Sequence, residues 1–292
     1  MTANPQWEEV TQELLPGQKA SDRPDLVARV FSLKLKHLRY LIEKKSYLGT
    51  CVAHVSSIEY QKRGLPHSHM LDFIAPEDQP KTPYDVDCII SARLPDKDLQ
   101  PELWNLVTKF MMHGPCGTAN PNAPCMSDGK CSKGFPKPFR SETSIDGKGY
   151  AEYARPDDGC VCEKNGFQLD NRWVVPHVPE FVLILRCHIN TECCMGVGSV
   201  KYIHKYVYKG PDQATLKITD KENPDEIKQF LDARWIGSSE ALWRILLNRM
   251  HDEKPSVYRL QVCINCHIVS YELTLMYMVY IGSSTWTAFS YI

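Results

Sequence analysis

Apolar positions recur at helical spacing between Arg23 and Lys45. Leu26, Val27, Val30, Phe31, Leu33, Leu38, Leu41 and Ile42 form one stripe there. Ser21 or Asp22 is placed to cap this helix, and Pro24 suits its first turn. The period then changes. Cys51–Ile58 is rich in β-branched and small residues and leads into Glu59-Tyr60-Gln61. Lys62-Arg63-Gly64 and Pro66 mark a turn, and an apolar run follows from His67 to Ile74, which predicts a β-hairpin. Residues 75–84 read as a Pro-rich loop, Asp85–Arg93 as a strand and Pro101–Met112 as a helix. Residues 141–168 are polar and read as irregular. Trp173–Val175 and Phe181–Leu185 read as strands, with Arg186–Glu192 continuing the second. Ser199–Gly210 reads as a short helix that Ser199 caps and Gly210 ends. Asp225–Asn248 reads as a long helix or helix pair, with Leu231, Trp235, Ala241, Leu242, Ile245 and Leu246 inward. The fold class these elements predict is α+β.

Composition narrows the picture only a little. The chain has 292 residues, 43% hydrophobic and 24% charged, which is ordinary for a globular protein. A net charge of −1 is not that of a protein that coats DNA, so any nucleic-acid binding must come from local basic patches. One candidate is the row Lys34, Lys36, His37, Arg39, Lys44 and Lys45 on the first long helix, which reads as a solvated basic face rather than as a specific DNA contact. The twelve cysteines are irregularly spaced and the start, MTANPQWEEV, is polar and acidic. A reducing compartment is expected, with some thiols on metal and others buried as small hydrophobes. Leu273–Ile292 is apolar but broken by Gly282, Ser283 and Ser284, and reads as a divergent end rather than a membrane anchor.

Candidate chemistry is concentrated in three places. On a strand, side chains at i and i+2 share a face, so His67 and His69 can reach one metal ion. Glu59 and Gln61 share a face of the preceding strand, and either offers an oxygen as third ligand. Two imidazoles and one oxygen, with open positions, suit a catalytic divalent cation. Asp72 is out of place in the apolar run that carries the pair. Next, His113, Cys116, Cys125 and Cys131 are interleaved with Gly, Pro and Asn, in a segment with little apolar surface of its own. Zn²⁺ on the histidine and thiolates would organise it; free thiols in a loop are the alternative. Cys160, Cys162, Cys193 and Cys194 have no assignment. Lys130, Lys133, Lys137 and Arg140 run through the insert with Phe135 and Phe139, a mixture that suits single-stranded nucleic acid. Last, Tyr202 and Tyr206 share one helix face and Lys201, Lys205 and Lys209 form another row, which by spacing alone is also what core packing gives.

The stretch EYQKRGLPHSHM, residues 59–70, resembles the signature of the Rep domain of Helitron transposases, the helitron helicase-like domain of the HUH endonucleases. PGQKASDRPDLVARVF, HGPCG, PCM, CSKGFPKPF, LDNRWVVP, HINTE, SVKYIHKYVYKG and DEIKQFLDARWIGSSEALWRI resemble that family in the same order, over roughly residues 5–262. Ser68 stands where the pattern asks for a hydrophobe. The resemblance implies an HUH/Rep-like antiparallel sheet and the nicking and joining of single-stranded DNA in rolling-circle transposition. By position, Tyr202 and Tyr206 become the nucleophiles, and His67 and His69 bind Mg²⁺ or Mn²⁺. Gln61 is the preferred third ligand and Glu59 the alternative. Lys62, Arg63, Lys201, Lys205 and Lys209 become DNA contacts. A nuclear protein with single-stranded DNA as partner, and without a small-molecule substrate or membrane, is expected.

The implied layout is a polar entry over 1–22, a nuclease domain over 23–210 with the insert at 113–140, a helical extension over 211–262 and a divergent tail over 263–292. No G-x-x-x-x-G-K-[ST] loop occurs, so ATP-driven unwinding is not expected of this chain. The rival expectation is a transposon remnant, catalytically inactive, that binds DNA or is held together by zinc.

Overall fold

The computed structural model describes residues 1–60, 64–147, 149–194 and 236–255, together with the backbone of three short strands at 262–264, 267–269 and 288–291. Its centre is an antiparallel five-stranded sheet. β1 is Cys51–Tyr60, β2 Pro66–Ile74, β9 Thr191–Cys194, β10 His251–Lys254 and β13 Ala288–Tyr291, ordered β10-β1-β2-β13-β9. The histidine strand β2 is therefore the middle strand. The tail read as divergent supplies β13, which pairs with both β2 and β9. A separate hairpin joins Val262–Ile264 to His267–Val269.

One face of this sheet is covered by the long helix α2, Pro24–Glu43, which follows the short α1, Glu8–Thr11. Pro24 sits in its first turn as expected, but neither Ser21 nor Asp22 caps it; Arg23 is the N-cap, and the Asp22 carboxylate instead accepts from the Lys19 amide. Val27, Val30, Phe31, Leu38, Leu41 and Ile42 are buried, the stripe that the sequence pattern drew, whereas Leu33 is exposed. Arg39 leaves the basic row and turns inward to Asp252 and Ser56. Trp243 of α6, Ser238–Ile245, is 2% exposed and packs on Phe31 with ring centroids 5.7 Å apart. Ile245, expected inside, is instead 71% exposed.

Three segments fold otherwise than their pattern predicts. Asp85–Arg93 is not a strand: α3 occupies Pro83–Ile89, because Thr82 and Asp85 form a reciprocal capping box around Pro83 in the first turn. Phe181–Leu185 is not a strand either. α5, Pro179–Leu185, buries Phe181, Val182 and Leu185, and Arg186 ends it in the left-handed region at φ 49°. A short apolar run suits a buried helix and a buried strand equally, and Pro179 at its start decides for the helix. Asn171–Trp173 is a 3₁₀ turn, in which the Asp170 carboxylate accepts from the Arg172 amide. The predicted Pro101–Met112 helix forms as α4, Pro101–Phe110.

Residues 141–168, read as irregular, contain two small hairpins. β5, Ser144–Ile145, pairs with β6, Ala151–Glu152; β7, Val161–Lys164, pairs with β8, Phe167–Asp170. Arg155 fastens this region to the body. It is 3% exposed, and its Nη1 donates to the carbonyls of Asn171 and Val174 at 2.7 and 2.6 Å.

Candidate functional site

The β1–β2 hairpin places His67 opposite Glu59 and His69 opposite Ser57. Strand alternation puts both histidines on one face, with Leu71, and turns Ser68, Met70 and Asp72 to the other. The two imidazoles meet edge to face, centroids 4.6 Å apart. Glu59 Oε2 lies 2.8 Å from His69 Nε2, a diagonal contact across the hairpin. On the far side of β2, residues 1–3 run alongside it: the Ser68 amide donates to the Met1 carbonyl and the Ala3 amide to the Pro66 carbonyl. This brings Thr2 Oγ1 within 2.6 Å of His67 Nδ1, which fixes the ring and leaves Nε2 for a ligand.

Burial, first of all, holds His67 well below the usual imidazole range, and nearby positive charge adds to it. His69 is also lowered, mainly by burial, against the opposing pull of Glu59. Both rings are therefore neutral donors at neutral pH, the state in which imidazole binds metal. The Lys133 charge contributes to the lowering of both. Gln61, the other candidate oxygen, lies outside the described residues, as do Lys62 and Arg63.

Asp72 neither reaches solvent nor joins the histidine face. It is 1% exposed, opposite His54, with Arg39 and Glu43 of α2 as its charged neighbours. Burial raises its carboxyl to about 8, so it is largely protonated at neutral pH. His54, which lies 3.3 Å from Glu43 and 3.5 Å from Asp252, is part of the same buried cluster; nothing in the sequence pattern pointed to it.

Among the described residues one group of four donor atoms converges: His113, Cys116, Cys125 and Cys131, all within 4.8 Å of one another. The chain is bent to do this. β3, Met126–Ser127, and β4, Lys130–Cys131, form a tight hairpin whose tip, Asp128-Gly129, has positive φ at both residues. The Ser132 amide donates to the Cys125 carbonyl, and the His113 amide is held by the Trp173 carbonyl at 2.8 Å. Gly114 is required here, since a Cβ on it would meet Trp173 at 2.9 Å. His113 Nε2 and Cys131 Sγ are 3.4 Å apart. Burial lowers His113 to about 4 and raises Cys116 to about 12. Burial also opposes ionisation of Cys131, yet the backbone amides of Phe135 and Lys133 outweigh it and the thiol is lowered. One histidine and three thiols in a closed set could hold a metal ion, and the donor chemistry is that of structural zinc.

Beside this cluster lies a cleft of about 370 Å³. His113, Phe135, Lys133, Tyr150, His188 and Glu192 are among its walls. Phe135 stacks on His113, centroids 4.2 Å apart and planes 16° from parallel. The cleft is linked to the histidine pair through the His188 carbonyl, which accepts from the Thr2 amide at 2.9 Å, and through Thr2 to His67. Thr2 and His188 were not found from sequence, because they are brought to His67 by pairings between distant segments that no local pattern records. Tyr202, Tyr206, Lys201, Lys205 and Lys209 lie outside the described residues.

Residues 1–71 match a family model described as the Helitron helicase-like domain at N-terminus. The match supports the identification of this stretch as a Helitron helicase-like domain. The match takes in α1, α2, β1 and β2 as far as Leu71, and so includes Glu59, His67 and His69. It is shorter than the region of roughly residues 5–262 over which the motifs resemble the family. No curated protein matches the chain. Among the described residues, no helix is long and apolar enough to cross a membrane.

Proposed function

We propose that this chain, in whose first 71 residues the Helitron domain is found, nicks and rejoins single-stranded DNA in rolling-circle transposition. The observation that supports this is the His67–His69 pair on one face of the middle strand, with Glu59 of the neighbouring strand against His69, all within the matched stretch. Two neutral imidazoles and a carboxylate suit Mg²⁺ or Mn²⁺, and a cation there would polarise the scissile phosphate. Glu59 takes the role that the sequence reading preferred for Gln61, because its carboxylate is already at His69.

The nucleophile is assigned to Tyr202 or Tyr206. Attack by the phenolate oxygen on phosphorus forms a phosphotyrosine at the 5′ end and breaks the bond to the 3′ oxygen, which leaves as a hydroxyl after protonation. The bond energy is kept for rejoining. Lys201, Lys205 and Lys209 supply positive charge to the transferring phosphoryl group. Nuclear localisation belongs to the same reading.

The test is incubation of the chain with end-labelled single-stranded DNA and Mn²⁺. A covalent protein–DNA adduct is expected, and it should vanish in Tyr202→Phe/Tyr206→Phe and in His67→Ala/His69→Ala. DNA binding without any adduct would replace this reading with the second one, a non-enzymatic DNA-binding remnant. The converging His113/Cys set favours that second reading, since it could stabilise a fold that has no chemistry.

A further inference from the structure

We propose that the cleft between the insert and the sheet seats one nucleotide of single-stranded DNA, its phosphate on Lys133 and its base against Tyr150. The inference rests on the single-stranded DNA reading above and assigns part of that substrate to named residues.

The cleft is the right size for such a group, at about 370 Å³, the lower range of ligand pockets. Most of its charged and aromatic walls are already engaged. Arg155 is committed to backbone carbonyls. Arg140 is paired with Glu152. Lys137 Nζ donates to the Lys133 carbonyl at 3.0 Å and lies over the Phe135 ring. Phe135 is covered on one side by His113. Two groups remain. Lys133 is exposed and pairs with no described carboxylate. Tyr150 is 38% exposed, lines the cleft and has no ring contact with another described aromatic. One mobile cation and one open aromatic are the elements with which proteins hold single strands without reading sequence.

Position carries the argument further. Lys133 follows Cys131 by two residues, and the Gly134 amide is bonded to the Cys131 carbonyl, so the converging donors set the place of the lysine. The opposite wall, His188, is one hydrogen bond from Thr2, and Thr2 holds His67. The cleft is thus joined to the imidazole pair through His188 and Thr2, and a strand seated in it would run towards that pair.

The experiment measures fluorescence anisotropy of a labelled oligothymidylate with the full chain, over a salt series, for wild type, Lys133→Gln, Tyr150→Ala, Tyr150→Phe and His67→Ala/His69→Ala. Melting temperature and zinc content establish that each variant is folded. Tyr150→Ala should weaken binding about 10-fold and Tyr150→Phe should restore it. Lys133→Gln should weaken binding and lower the salt slope by about 0.7. His67→Ala/His69→Ala should lose the covalent adduct. Unchanged affinity in both cleft variants overturns the subsite, and a wild-type adduct in the same preparation would show that the nuclease reading stands without it. Loss of affinity in the cleft variants with no wild-type adduct supports the subsite and removes the nuclease. A wild type that does not bind the oligonucleotide overturns both.

Discussion

Glu59 faces His67 directly across the hairpin, yet its carboxylate reaches past to His69, with Oε2 2.8 Å from Nε2. One acid thus touches the second histidine while standing beside the first, and the three donors share one side of β1 and β2. Glu59→Ala should lower Mn²⁺ affinity by about 10- to 100-fold, the scale seen when one oxygen donor or its support is removed. Titration calorimetry with Mn²⁺ checks this. Glu59→Ala without effect, together with a large effect of Gln61→Ala, would return the third position to Gln61.

The His113/Cys set is expected to carry about one zinc per chain in protein purified without chelator. Cys116→Ser should lose most of that metal and melt at least about 5 °C lower, because the insert has little apolar surface to hold it together. Atomic absorption and a thermal scan measure the two effects. A metal-free wild type that melts like the mutant would show that the thiols alone suffice.

Asp72 should make stability depend on pH in a specific direction. Its folded carboxyl is raised to about 8 by burial, against an ordinary value of 3.8, so the folded chain keeps a proton that the unfolded chain has lost. Between those values the unfolded state binds fewer protons, and stability falls as pH rises. Asp72→Asn removes this dependence. The mutant should melt higher than wild type, with the gap widening steadily from pH 5 to pH 8. A gap that narrows with rising pH would mean that Arg39 keeps Asp72 ionised.

Trp243→Ala should destabilise the fold by about 3–5 kcal/mol, since the indole is 2% exposed against Phe31. Ile245→Ser, two residues on and 71% exposed, should change stability by less than about 0.5 kcal/mol. Chemical denaturation of the pair is the measurement.

The contrast between those two residues shows how far the sequence could be read. α2 was legible because it has one buried face and a clean period, and the hairpin because a Lys-Arg-Gly turn and Pro66 separate two runs rich in β-branched and apolar residues. The convergence of His113, Cys116, Cys125 and Cys131 was legible because a segment with so little apolar surface needs another organiser, and these are the residues in it that could share one. α6 was not, since it is short and the stripe drawn through it assumed a longer helix; its anchor is the tryptophan between the chosen positions. α3 and α5 were hidden in apolar runs whose period is too short to measure, although the T-P-x-D cap before α3 was there to be read. The preference for Gln61 came from its place near the turn and falls on a residue outside those described, whereas the approach of Glu59 to His69 depends on cross-strand register, which residue spacing does not contain.

That register has a consequence of its own. Residues of β2 alternate between a side with two neutral bases and a side with a protonated acid above Arg39. Sliding β2 by one position against β1 would exchange the two sides, turning Ser68 and Asp72 to the cation and pressing both imidazoles onto α2. The irregularity between Cys51 and Ala53 and the Tyr60–Pro66 pair bracket the hairpin against such a slip. Substitutions at Cys51 and Ala53, at the other end of the hairpin from Glu59 and His67, would therefore change which chemistry the strand presents before they changed whether the protein folds.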